Sequence, residues 1–255
     1  IKEGRYRAAM KMALDYLALV REPTELATDS VYFEVRLGYN LCLYRLHRVD
    51  EGLADIDELL EKWVNLPPVL RHQALTRRGS YLHPKHRQVI YEELLDEGVS
   101  PEIEVQIRPA LARRCESKGR VHEALEHYDL ALRAASQIGT DAAFPILAKR
   151  SALSIAADRL DAAEEDLLAC QKLSGGVVQQ ELWSLERRWI EWLAAKGSVE
   201  QAWERLHQHA EFEQRNAGAV HPNTQELFLL IGTIAGELEA VRRTADEGLA
   251  LGLEA

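Results

Sequence analysis

The chain has 255 residues, 47% of them apolar and 28% charged, with a net charge of −10, the balance of a folded protein with exposed, charged helix faces. That charge works against general affinity for nucleic acid, whose phosphates are repelled at long range, and there is no apolar run of about eighteen residues to span a membrane. Glycine, proline and aromatic residues are few for this length, which disfavours a β-sandwich or barrel. Three widely spaced cysteines, Cys42, Cys115 and Cys170, form no disulfide framework and fit a reducing cytoplasm.

In chain order, Ile1-Lys2-Glu3-Gly4-Arg5-Tyr6 reads as the end of one helix and the turn into the next. The chain is therefore expected to begin inside a repeat, as a fragment of something longer. Gly4, Tyr6 and Ala9 mark the end of one loose unit, and His47, Val49, Gly52, Ile56 and Leu59 mark the next, 43 residues on. From Pro67 to Gly98 the pattern stays helical but meets Pro84 where a turn must reopen into helix. Proline is tolerated in a helix's first turn, so the second helix of this pair is placed after His83. Ser100-Pro101 and His221-Pro222 each open a helix, and Ser174-Gly175-Gly176 separates two.

From about residue 101 onward the units become regular. Gly119, Asp158, Gly197 and Gly236 follow one another at 39-residue intervals. So do Val121, Leu160, Val199 and Leu238; Ala124, Ala163, Ala202 and Val241; and Tyr128, Leu167, Leu206 and Ala245. The first column sits where a helix must stop and reverse, a position that favours left-handed backbone angles. The small residue five places later lets the second helix approach the first closely, and the positions after it continue one amphipathic face. By length two domains would fit, but a repeat array runs this long as one body, and a single domain over residues 1–255 is expected.

The unit Leu111-Ala112, Gly119, Ala124, Tyr128 and Ala131 resembles the tetratricopeptide repeat pattern, and looser matches extend over nearly the whole chain. The 39-residue period exceeds that family's usual repeat of about 34 and is similar to the helical sensor arrays of MalT-type bacterial transcription activators. The resemblance implies an all-α, right-handed superhelix of about six to seven antiparallel helix pairs. It also implies a concave groove, lined mainly by the first helix of each pair, that binds extended peptides or partner helices.

Basic pairs recur on the expected first helices: Arg77-Arg78, Arg113-Arg114, Lys149-Arg150 and Arg187-Arg188. Mapped onto the family pattern, Arg77, Arg113, Lys149, Arg187 and Arg188 fall at or near groove-facing positions. Guanidinium forks suit carboxylates and phosphates because they donate two parallel hydrogen bonds. The sharp reading is a cationic ladder for an acidic or phosphorylated protein or peptide partner; the bland one is solvated helix faces paired with acids such as Glu116, Asp166 and Glu191. Trp183, Trp189, Trp192 and Trp203 concentrate in one helix pair, as core or as binding anchors. Nucleic-acid binding along the basic pairs, and self-assembly through terminal repeats, are the alternatives.

Nothing in the pattern calls for chemistry. The histidine pairs lack a matching zinc-ligand spacing, and no His-Glu-x-x-His, phosphate-binding glycine loop or Gly-x-Ser-x-Gly elbow occurs. The cysteines fall at apolar repeat positions, with only Cys115 beside basic residues. The expectation is a binding scaffold, not an enzyme, with no cofactor, no metal and no catalytic residue.

Overall fold

The computed structural model describes residues 2–19, 30–63, 66–139, 142–173, 179–217 and 220–236. Among them are twelve α-helices and no strand. They are α1 (Lys2–Leu19), α2 (Ser30–Arg45), α3 (Val49–Lys62), α4 (Pro68–Tyr81), α5 (Pro84–Glu97), α6 (Pro101–Glu116), α7 (Val121–Ile138), α8 (Ala143–Ala156), α9 (Leu160–Leu173), α10 (Gln179–Ala195), α11 (Val199–Ala217) and α12 (Pro222–Ala235). They fall into two compact units, Ile1–Ile138 and Gly139–Ala255. Ile1, the separator Ser174-Gly175-Gly176 and the column members Leu238, Val241 and Ala245 lie outside the described residues.

The repeat columns have a common backbone cause. Gly119, Asp158, Gly197 and Gly236 all take a positive φ, at 71°, 57°, 83° and 72°. His47 joins them at 59° and fills the same place between α2 and α3. In four of these turns the amide just after the left-handed residue bonds back to a carbonyl near the end of the preceding helix: Arg48 to Leu43, Arg120 to Cys115, Arg159 to Ser154 and Ser198 to Leu193, at 2.8–3.0 Å. This closes the helix end whose carbonyls would otherwise be orphaned. The small residue five places after the turn, Gly52, Ala124, Ala163 or Ala202, is buried in every case. So is the larger residue four places further on, Ile56, Tyr128, Leu167 or Leu206.

Two places depart from this pattern. The turn expected at Gly4 is helix: Gly4 lies within α1, where Glu3 and Arg7 pair across it at 2.7 Å. An exposed helical position tolerates glycine at a cost of about 1 kcal/mol, and the i,i+4 ion pair offsets part of that. Between α4 and α5 there is no left-handed residue. Leu82 and His83 are extended and Pro84 opens α5, as placed from the sequence. The end of α4 is closed instead by a side chain: Arg87 donates from Nε to Gly79 O and from Nη2 to Ser80 O and Leu82 O, at 2.9–3.2 Å.

Packing follows the pair logic. Within each unit consecutive helices lie against each other, and the first helices also touch directly, α2 on α4 and α4 on α6 in one unit, α8 on α10 and α10 on α12 in the other. Tyr32, Phe33 and Leu37 of α2, Ile56 and Leu59 of α3, and Leu70 and Ala74 of α4 form one continuous core with Trp63. Ile190 of α10, Leu206 of α11 and Leu227 of α12 belong to another. Each core joins a pair to the next first helix, which is why such units stabilise one another by stacking.

At Gly52 the close approach has a polar purpose. Asn40, fully buried, donates to Gly52 O and to Asp55 and accepts from the Tyr81 hydroxyl at 3.1 Å on Oδ1. A methyl group on Gly52 would overlap that hydroxyl and the ring carbon bearing it, and lie 2.6 Å from Tyr81 Cε1.

Candidate partner-binding site

Arg77 lies on α4 and is half-buried, with its Nε sealed from solvent and without a hydrogen-bond partner. Burial pulls its pKa down from the ordinary arginine value, and its electrostatic neighbours are Tyr81, Tyr91, Arg45 and Tyr44, with no carboxylate. A buried cation without a counterion is costly. Arg36, on the neighbouring first helix α2, shows the contrast. Burial works against its charge too, but Asp55 at 3.2 Å and Glu58 at 2.8 Å outweigh it, and its pKa is raised.

The partner of Arg77 in sequence, Arg78, pairs across to Asp57 at 2.6 Å. The basic doublet therefore splits, one arginine satisfied by the fold and one not. At Lys149-Arg150 on α8 the second member is again held by an acid of the next helix. Arg150 donates from Nε to Asp166 at 2.9 Å, and also from Nη2, to a carboxylate that is only 1% exposed, whereas Lys149 is exposed.

Arg113 and Arg114 end α6. Arg113 is exposed and its side chain makes no hydrogen bond or ion pair among the described residues; Arg114 is half-buried with an unpartnered, buried Nε. Both line a cavity of about 330 Å³ with Arg87 and Gln88 of α5, over a floor of Tyr91, Ala110 and Leu111. Glu116, a candidate partner for these arginines, instead accepts from the Tyr128 hydroxyl at 2.6 Å and, after burial, helps raise that phenol's pKa.

On α10, Arg187 and Arg188 share one acid of their own helix. Arg187 Nε donates to Glu191 at 2.8 Å and Arg188 Nη1 to its other oxygen. Arg187 also borders a smaller cavity of about 120 Å³ with Trp183, His209, Glu213 and the start of α12. Trp183 carries a buried, unpartnered Nε1 there, while His209 and Glu213 face each other at 3.3 Å.

Of the five cations singled out from the sequence, Arg77 and Arg113 thus belong to adjacent first helices and lack acids, Arg187 and Arg188 hold one, and Lys149 stands beside a closed ion pair. Arg87 and Arg114 complete the first cavity and were not among the five. A signal for Arg87 existed: the α4–α5 turn has no glycine at the reversal, so some other group had to satisfy the end of α4.

The tryptophans divide as well. Trp189 and Trp192 are core, edge to face at 5.4 Å, with Trp192 Nε1 donating to Leu160 O at 2.9 Å. All three cysteines are buried, and burial pushes the Cys170 thiol up to about 12. Among the described residues no three His, Cys, Asp or Glu side chains converge as a metal ion would require. No helix among them is long and apolar enough to cross a membrane.

No family model matches the sequence and no curated protein matches it. Solved structures do match the fold. A tetratricopeptide repeat protein from Parabacteroides merdae shares 12% identity at a TM-score of 0.66, covering 86% of this chain and 80% of its own. BtubC from P. vanneervenii shares 16% identity at a TM-score of 0.58, covering 82% and 90%. At such identities the likeness concerns the fold alone: the chain is an all-α protein of consecutive helix pairs with the fold of tetratricopeptide repeats.

Proposed function

We propose that the chain is a protein- or peptide-binding scaffold whose partner brings acidic groups to the face made by its first helices. The observation that supports this reading is Arg77, a half-buried cation with no hydrogen bond or ion pair among the described residues, on a first helix adjacent to the one that carries Arg113. A partner carboxylate or phosphate would supply the missing counter-charge through a charge-assisted hydrogen bond. In the other unit, taken by itself, the first helices α8 and α10 carry Lys149, Arg187 and Arg188, where a partner acid would compete with Glu191. Concave first-helix surfaces are what helical arrays use for binding, and the reading includes no catalysis. The 39-residue period supports placing the scaffold in a bacterial signalling or transcription-regulatory protein.

The test is fluorescence anisotropy with a labelled Asp/Glu-rich peptide at low salt. Arg77→Gln and Arg113→Gln are each expected to weaken binding about tenfold, the scale of one charged contact. Arg133→Gln, exposed on the second helix α7, is expected to leave binding unchanged. Equal affinity across all the variants, or binding insensitive to salt, overturns the assignment.

A further inference from the structure

The cavity between α5 and α6 has a composition that peptide docking on the first helices does not require. Its wall holds three guanidinium groups, from Arg87, Arg113 and Arg114, and no carboxylate. Lys118 Nζ donates to the wall residue Gln88 at 3.2 Å, and Gln88 donates to Glu92 at 2.7 Å; neither Lys118 nor Glu92 lines the cavity. Arg87 is fixed in place by its bonds to the three carbonyls at the end of α4. Arg114 keeps a buried, unpartnered Nε, and the Arg113 side chain makes no hydrogen bond or ion pair among the described residues. The floor is different in kind: Tyr91 and Leu111 are almost fully buried, with Ala110 and Pro84 beside them.

We propose that this cavity binds a phosphate monoester carried on an apolar or aromatic group. Three positive charges exceed what one carboxylate neutralises, whereas a phosphate monoester brings a charge of about −1.5 to −2 and three strong acceptor oxygens. Guanidinium forks match those oxygens in pairs. The volume of about 330 Å³ is at the small-ligand scale and leaves room above the apolar floor for the group that carries the phosphate. Burial of Arg114 Nε makes the free site costly, because a polar group removed from water without a partner is destabilising.

Isothermal titration of the full chain with phenyl phosphate, against benzoate as the planar monoanion, tests the assignment. One phenyl phosphate is expected per chain, with benzoate at least tenfold weaker. Arg114→Gln and the exposed-position variant Arg113→Gln are each expected to weaken phenyl phosphate at least fivefold, with circular dichroism confirming that both fold. Arg77→Gln, which alters the docking face and not the cavity wall, is expected to stay within threefold of wild type, so the two assignments fail separately. A phosphotyrosine peptide distinguishes the source: tighter binding than phenyl phosphate assigns the anion to a partner's side chain, and equal binding to a small molecule. Benzoate binding as tightly as phenyl phosphate, or folded Arg114→Gln and Arg113→Gln binding like wild type, overturns the proposal.

Discussion

Replacing Gly52 with alanine puts a methyl group where the Tyr81 hydroxyl and ring now lie, with the ring Cε1 only 2.6 Å away. Tyr81 must move, and it cannot move freely, because its hydroxyl donates to Asn40 O at 2.7 Å and to Asn40 Oδ1 at 3.1 Å. Losing those bonds costs about 1 kcal/mol net, and leaving acceptors of the buried Asn40 unsatisfied adds about 1–3 kcal/mol. Alanine in a helix returns about 1 kcal/mol relative to glycine. The net expectation for Gly52→Ala is a loss of about 2 kcal/mol. Gly38 supplies an internal control: it is also helical, in α2, exposed, and a methyl there meets nothing within 4 Å. Gly38→Ala should therefore gain up to about 1 kcal/mol. Urea unfolding of the two variants reads the difference as a shift in midpoint. In a Tyr81→Ala background the Gly52→Ala penalty should vanish, giving a coupling of about 2–3 kcal/mol in a double-mutant cycle. If Gly52→Ala is as stable as Gly38→Ala, the close-approach argument is refuted.

Three further outcomes are expected. Asp158→Gly relieves a non-glycine residue held at φ 57° and should raise stability by about 0.5–1 kcal/mol; thermal unfolding that moves downward contradicts it. Asp166→Asn strips the charge from a carboxylate 1% exposed and paired with Arg150, and should cost about 3 kcal/mol, measurable by denaturant midpoint. Because folding raises the Cys170 thiol to about 12 from the model-peptide value of 9, the folded state holds its proton longer than the unfolded one. The resulting stability is fully present below pH 9 and is lost as pH rises from 9 toward 12. Cys170→Ala should flatten that part of the pH–stability curve; an unchanged slope contradicts the burial argument.

The fold was legible where backbone geometry restricts residue identity. A left-handed turn selects Gly or a short polar residue, as at Gly119 and Asp158, and a close helix approach selects Ala or Gly, as at Ala124 and Gly52. Such constraints leave columns in the sequence. Gly4 misled for the converse reason: an exposed helical glycine leaves the same letter as a turn, and only the surrounding helix distinguishes them. The basic doublets were visible, but which of their members the fold pairs with an acid across the helix pair was not. Arg78 finds Asp57 and Arg150 finds Asp166 across a helix pair, and these meetings depend on helix rotation, which residue spacing does not fix. Arg87 escaped notice, and Arg114 was seen only as half of a doublet, because their role comes from what surrounds them, a glycine-free turn and a wall without acids.

The most direct test of the docking account is hydrogen exchange of the full chain with a saturating acidic, unphosphorylated peptide. Amides of α4 and α6, which carry Arg77 and Arg113, are expected to exchange more slowly in the complex, while those of the second helices α5 and α7 keep their free rates. Slowing confined to α5 and α7, or no slowing at saturation, would contradict a partner site on the first helices.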